Sequence, residues 1–206
     1  MLSILKDPIG NWEIILKELK SFTSSGLALL ADMEFDGDPN NGITELSFKL
    51  LLLGALASPT ECLGNLRVES EYSVEGGRID LILFHDQTKS ALVMELKYNR
   101  TGFYVPTAVS FKFKRTFPTR WTLALQNGNE EIKRMSLDKL DEAEFQTNGK
   151  SMKIYQKRKN AKDQLERYCR SLREGGVRRI PKETRIYQVV FFGIGKRVEY
   201  YDLKEA

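Results

Sequence analysis

The strongest constraint on the fold is a three-part stretch: Ile79-Asp80-Leu81-Ile82-Leu83-Phe84, the polar loop His85-Asp86-Gln87-Thr88-Lys89-Ser90, and Ala91-Leu92-Val93-Met94-Glu95-Leu96. Two largely apolar runs joined by residues suited to a turn predict a pair of antiparallel strands. With the loop symmetric about Gln87 and Thr88, Phe84 faces Ala91, Ile82 faces Val93 and Asp80 faces Glu95. Cross-strand neighbours have Cβ atoms about 5 Å apart, and like charges placed there destabilise a sheet. Two opposed carboxylates need a cation between them or a shared proton.

Glu95 also opens the tripeptide Glu95-Leu96-Lys97, which alone says little, because Glu18-Leu19-Lys20, Glu131-Ile132-Lys133 and Asp202-Leu203-Lys204 share its pattern. Context separates them. Glu18 and Lys20 fall in a stretch with helical spacing, where residues two apart point roughly 200° from one another. In a strand, residues two apart share a face at about 7 Å. Lys97 therefore joins Glu95 on one face and offers partial compensation while leaving room for a metal ion. The plain alternative is a solvated strand end carrying Glu and Lys, and a one-residue slip in register would undo the alignment.

At 206 residues and 41% hydrophobic content, the chain can fill one α/β domain with a sizeable core. It has no internal repeat or low-complexity tract. Met1 to Pro8 lacks the basic-then-apolar order of a secretory signal. The longest mostly apolar run, Leu46 to Ala57, is interrupted by Ser47 and Lys49 and is too short to span a bilayer. A soluble, intracellular protein without a membrane partner is expected. Cys62 and Cys169 have no metal-type spacing and read as free thiols in a reducing compartment. The single histidine, His85, lies in the predicted hairpin loop, which argues against a Ser/His or Cys/His nucleophilic centre and against zinc.

Net charge is +4, unevenly spread: residues 101–162 carry +7 and the remainder −3. A basic stretch beside a carboxylate centre suits a polyanionic partner, with Lys112, Lys114, Arg115 and the run Lys157-Arg158-Lys159 as candidate phosphate contacts. A charged surface insertion is the alternative.

Asp7-Pro8 offers an N-cap and a first helical position. The spacing predicts one helix to about Phe22 and a second from Ser25 to Met33, together an N-terminal helical region over 1–41. Asp36 to Gly42 reads as a loop, and Ile43 to Ala57 as a buried helix. A strand follows at Asn65 to Ser73, then the hairpin, then a basic insertion over 102–151 with strand character at Ala108 to Lys114 and Trp121 to Leu125 and a short helix at Asn129 to Leu140. Asn160 to Leu172 has a helical stripe in Ala161, Leu165, Tyr168 and Leu172. Arg185 to Phe192 and Arg197 to Leu203 flank the hairpin signal Gly193-Ile194-Gly195-Lys196. The order is αβββαβ plus a terminal strand, an α/β domain with a mixed central sheet flanked by helices.

That order, with Gly77-Arg78-Ile79-Asp80, Glu95-Leu96-Lys97 and Gln164 in Gln164-Leu165-Glu166-Arg167-Tyr168, resembles the PD-(D/E)XK nuclease superfamily, and more closely its branch found behind AAA-ATPase-like regions. The likeness covers about Leu27 to Leu203; the fifty residues Gly102 to Ser151 exceed what such domains usually carry there. It implies a restriction-endonuclease-like αβββαβ core with an insertion after the third strand, and metal-dependent hydrolysis of phosphodiester bonds, in DNA ahead of RNA. Carboxylate oxygens select hard cations, so Asp80 and Glu95 are the expected ligands of Mg²⁺, with Mn²⁺ as substitute. The resemblance adds the backbone carbonyl of Leu96 as a third ligand and a substrate-contacting, site-supporting role for Gln164. It also suggests either a water-mediated metal contact or a helix-start role for Glu45. Lys97 orients the water or stabilises the developing charge. Arg78 pairs with a phosphate or with Glu95. The rival reading is a catalytically silent nucleic-acid-binding or protein-interaction module of a larger effector or mobile-element protein. Oligomeric state is left open.

Overall fold

Pro8 has no N–H to lose at a helix start, and from it the chain runs as one helix, α1 (Pro8–Met33). The computed structural model describes residues 8–33, 44–57, 66–99, 104–105, 130–147, 150–174 and 180–206, so Asp7, the expected cap, lies outside them. The predicted break before Ser25 is absent. Ser25 Oγ donates back to the Ser21 carbonyl at 3.0 Å, and Gly26 lets α1 approach α2 (Glu45–Leu56), since a Cβ there would stand 2.8 Å from Leu51 Cδ2. Burial of Leu27 just beyond outweighs the weak helix preference of Ser-Ser-Gly. Thr44 caps α2 through a capping box with Ser47: its side chain accepts from the Ser47 N–H at 3.1 Å, and Ser47 Oγ accepts from the Thr44 N–H.

Three antiparallel strands follow, β1 (Leu66–Val74), β2 (Gly77–His85) and β3 (Ser90–Asn99). The β2–β3 connection is a 3₁₀ turn, Asp86–Thr88, closed by Lys89 in the left-handed region. His85 is spent on this turn: Nδ1 accepts from the Thr88 N–H at 3.3 Å, and its ring meets Trp12 edge-on at 6.2 Å. Next come β4 (Tyr104–Val105), a helical turn α3 (130–134), α4 (Leu137–Glu142), β5 (Glu144–Thr147) and β6 (Lys150–Lys153). The predicted helix at 129–140 is split because Ser136 caps α4, accepting from the Lys139 N–H. The strands predicted at 108–114 and 121–125 lie outside the described residues. Helix α5 (Ile154–Glu174) begins at Ile154 rather than Asn160, and β7 (Arg185–Ile194) and β8 (Arg197–Glu205) end the chain.

The main sheet has the order β1-β2-β3-β7-β8, with β3 and β7 parallel and every other neighbour antiparallel; β4, β5 and β6 form a second, smaller sheet. The chain is thus α/β, a mixed five-stranded sheet flanked by helices. Helices α1 and α2 cover one face, where Trp12, Leu16, Leu19, Phe48 and Leu52 meet Leu81, Leu83, Leu92, Met94 and Phe191. Helix α5 covers the other, and the whole predicted stripe of Ala161, Leu165, Tyr168 and Leu172 is buried against Ile82, Phe84, Ala91, Val93 and Phe192. Because β3 and β7 are covered on both faces, their sequences run almost continuously apolar. Among the described residues no helix is long and apolar enough to cross a membrane. Cys169 is a free thiol in the α5 layer, pushed up to about 12 by burial; Cys62 is outside the described residues.

Phe48 stacks on Phe191 at 5.9 Å and lies 5.6 Å from Tyr98. These rings close over Gly193, where a Cβ would stand 2.6 Å from Tyr98 Cδ2 and 2.9 Å from Phe48 Cε2. Gly193→Ala is therefore expected to cost about 1–3 kcal/mol by overpacking. Urea unfolding measures this, and an unchanged midpoint would contradict the packing described.

Candidate active site

The predicted register is observed: Phe84 pairs with Ala91 and Ile82 with Val93, down to Leu81 with Met94. There the β2–β3 ladder stops, one step short of Asp80 and Glu95. The β1–β2 ladder is interrupted at the same level, passing from Ser70↔Leu81 to Tyr72↔Ile79 without pairing Glu71 to Asp80. Side-chain alternation inverts across the interruption. Leu81 and Leu83 face α1 and α2, yet Ile79, two residues earlier, packs on the α5 side. Val68 lies on the α1–α2 side of β1, and Tyr72 and Val74 on the α5 side. Glu71 sits at the inversion with φ of 53°, a left-handed conformation unusual for a residue with a side chain.

Asp80 is consequently not the flat cross-strand partner of Glu95 that alternation alone predicts. Its Oδ2 accepts the backbone N–H of Leu96 at 2.8 Å. Two residues further on, the Tyr98 N–H donates to Glu45 Oε2 at 3.3 Å. Residues two apart in a strand direct their N–H groups the same way, so both carboxylates occupy the β3 edge that β2 has left. Glu45 serves the site as well as the helix start: Thr44 does the capping, and Glu45, in the first turn of α2, reaches across to β3. It is the N–H of Leu96, rather than its carbonyl, that the structure ties to a site carboxylate.

Glu95 and Lys97 share the α5-facing side of β3, with Lys97 Nζ donating to Glu95 Oε1 at 2.6 Å. The Glu95 side chain is 2% exposed, and its Oε2 is buried with no hydrogen-bond partner among the described residues. Burial pushes the Glu95 carboxyl up to about 7; Lys97 opposes this, and the negative charges of Asp80 and Glu45 reinforce it. Burial acts to lower Lys97, but the Glu95 carboxylate beside it, with Glu45 and Asp80, holds the ammonium above the ordinary lysine value. Lys97 is thus a fixed cation.

Several supporting residues have roles that periodicity does not reveal. Lys49, one turn after Glu45 on α2, is buried and forms an ion pair with Glu71, which also meets Arg78 at 3.6 Å. Arg78 therefore pairs with Glu71, not Glu95. Gln164 Nε2 donates to Tyr168 Oη at 2.9 Å, and that phenol lies where any Cβ on Gly77 would collide with it. Gln164 thus bears, through Tyr168, on the entry to β2, the strand that carries Asp80.

The run Lys157-Arg158-Lys159 does not act as one cluster, because helical residues turn by about 100° each. Lys157 faces the end of β3, where its ammonium donates to the Tyr98 carbonyl at 3.4 Å and to Asn99 Oδ1. Burial lowers its pKa, Glu45 raising it and the Lys97 charge lowering it further. Arg158 points elsewhere: its guanidinium bonds Asp141 at 2.8 Å and covers the Tyr201 ring at 4.6 Å. Lys159 is exposed. Lys112, Lys114 and Arg115 lie outside the described residues.

Asp80 and Glu95 are the carboxylates expected to hold a cation, and Asp80 contributes to the potential at Glu95. Among the described residues no three His, Cys, Asp or Glu side chains stand close enough together to form a metal cluster. The pair suits a cation that takes one or two carboxylates and completes its shell with water and phosphate oxygens, as Mg²⁺ does. The unpartnered Oε2 of Glu95 is the oxygen with most to gain. No family model, curated protein or solved structure matches the chain.

The raised Glu95 carboxyl fixes a pH dependence. Unfolded, the group loses its proton near 4.5, and folded it holds it to about 7. The folded state therefore binds more protons in between, and metal-free stability falls as pH rises through that window. The loss is about 3 kcal/mol at most. Urea unfolding in EDTA at pH 4.5 and 7.5 should show this difference between wild type and Glu95→Gln. Parallel pH curves would refute it.

Proposed function

We propose that the chain is a metal-dependent nuclease that hydrolyses phosphodiester bonds, in DNA ahead of RNA, on a restriction-endonuclease-like αβββαβ core. The observation that carries this reading is the buried Glu95 carboxylate, with one oxygen on Lys97 and the other unpartnered, beside Asp80 where the sheet opens. Burying a carboxylate that the fold leaves half-satisfied costs stability. Such sites concentrate where a ligand supplies the missing partner.

Asp80 and Glu95 would hold Mg²⁺, or Mn²⁺ in its place, and the ion would polarise the scissile phosphate and lower the pKa of a water. Lys97 stays protonated at neutral pH, so it donates rather than abstracts: its ammonium stabilises the negative charge that grows on the phosphate oxygens in the transition state. Glu45 anchors β3 at Tyr98 and adds negative potential that favours a cation. Gln164, through Tyr168, keeps the start of β2 and hence Asp80 in place. Lys49 and Arg78 neutralise Glu71, so the acid nearest Asp80 in β1 does not compete for the cation.

The test is cleavage of linear and circular DNA and of RNA in Mg²⁺, Mn²⁺ or EDTA. Wild type should cut with metal and not in EDTA, and Lys97→Ala or Asp80→Asn should lower the rate about 100-fold or more. Wild type inactive in every metal, or variants as active as wild type, would overturn the reading. A second reading, a nucleic-acid-binding module that does not cut, draws on the absence of a three-carboxylate cluster among the described residues. It predicts binding without cleavage, untouched by Lys97→Ala.

A further inference from the structure

We propose that Lys157 is a substrate-positioning residue that holds the backbone phosphate next to the one Lys97 faces, an inference that takes its substrate from the nuclease reading above. The ammonium is half-buried, and both acceptors it meets are uncharged: the Tyr98 carbonyl and Asn99 Oδ1, at the end of β3. Among the described residues no carboxylate forms an ion pair with it. Its charged surroundings are Glu45, which attracts it, and Lys97, which repels it.

A cation taken partly out of water and held by neutral oxygens recovers little of its desolvation cost. As a purely structural element it would be poorly chosen, since a neutral side chain could fill the same space. An ammonium has three donors; two are used here, and an anion would satisfy the third while relieving the repulsion from Lys97. Asn99 follows Lys97 by two residues on the same side of β3, so Lys157 is anchored about 7 Å further along the strand. The two cations therefore stand in sequence along the exit of β3, and nucleic acid presents its phosphates as just such a row of single charges. Arg158 is held by Asp141 and Tyr201, which leaves Lys157 as the α5 cation at this position. A contact to a non-reacting phosphate binds ground state and transition state alike, so it serves affinity rather than the chemical step.

The experiment uses the full chain and a short DNA duplex or its single strand. Affinity is measured in EDTA across a salt series, and single-turnover cleavage in Mg²⁺ at saturating DNA. Lys157→Gln should weaken binding about tenfold and reduce the slope of log affinity against log salt by about one. Its saturated cleavage rate should stay within about twofold of wild type. Lys157→Arg should restore both affinity and slope. If Lys157→Gln fails to fold, amine modification of the wild-type chain replaces it, and bound DNA should slow labelling of Lys157. Wild-type affinity and slope in Lys157→Gln, or labelling unchanged by DNA, overturns the assignment and leaves the nuclease reading standing. Binding that weakens in Lys157→Gln, in a chain that never cuts, upholds the phosphate contact and overturns the nuclease. Wild type that binds neither DNA nor RNA at low salt overturns both.

Discussion

Everything distinctive here depends on β2 leaving β3 after the Leu81↔Met94 pair. A buried strand cannot abandon a neighbour without accounting for the N–H groups left behind. The chain satisfies two of them with carboxylates, Asp80 on Leu96 and Glu45 on Tyr98. Two acids drawn from different elements are thereby fixed along one strand edge, and the same strand presents Glu95 and Lys97 on its α5 side. The opening in the sheet both creates the need for acceptors and gathers the charges. The mid-strand inversion at Glu71 and Asp80 makes the opening compatible with two intact cores, because alternation on either side remains correct for its own layer.

Charge around the opening is close to balanced, and that explains how the fold tolerates it. Glu71 is matched by Lys49 and Arg78, Glu95 by Lys97 on one oxygen, while Lys157 lies within the field of Glu45. Among the described residues one oxygen of Glu95 lacks a partner and the ammonium of Lys157 lacks a carboxylate, while Asp80 and Glu45 meet backbone N–H groups rather than cations. One deficit calls for a cation and the other for an anion. A divalent metal accompanied by a phosphate backbone would supply both, which is why we join them in the proposed reading. Neither deficit alone would distinguish a binding module from an enzyme.

The hairpin was legible in sequence because a symmetric six-residue loop between two apolar runs leaves little choice of register, and the β3–β7 core was legible because strands covered on both faces run apolar without alternation. The tie from Gln164 to Tyr168 was half legible: the helix periodicity placed both residues, but not the glycine at the start of β2 that lets the phenol approach. Three features were hidden. Ser24-Ser25-Gly26 reads as a helix break, and only the burial of Leu27 and the close approach of Gly26 to Leu51 show why the helix continues. The inversion at Glu71 leaves the sequence alternation of β1 looking normal, since Leu66, Val68, Tyr72 and Val74 keep their even spacing across it. The run Lys157-Arg158-Lys159 looks like one basic cluster until a helix divides it among three directions.

The insertion between β3 and α5 is joined to the same layer as the site. Arg197 of β8 donates to the carbonyls of Ile132 and Met135, at 2.9 Å and 2.6 Å, and is itself oriented by Glu199. Asp141 of α4 holds Arg158 of α5, and Ile132, Leu140 and Phe145 are buried in the core that α5 shares with β2 and β7. These contacts use charges that, on composition alone, would count toward a nucleic-acid patch. Net positive charge over 101–162 therefore overstates the cations available to a polyanion: Arg134, Lys153, Arg158 and Lys162 each meet an acid. Among the described residues, what the basic segment contributes is first a docked subdomain against α5, with Lys157 turned toward the end of β3.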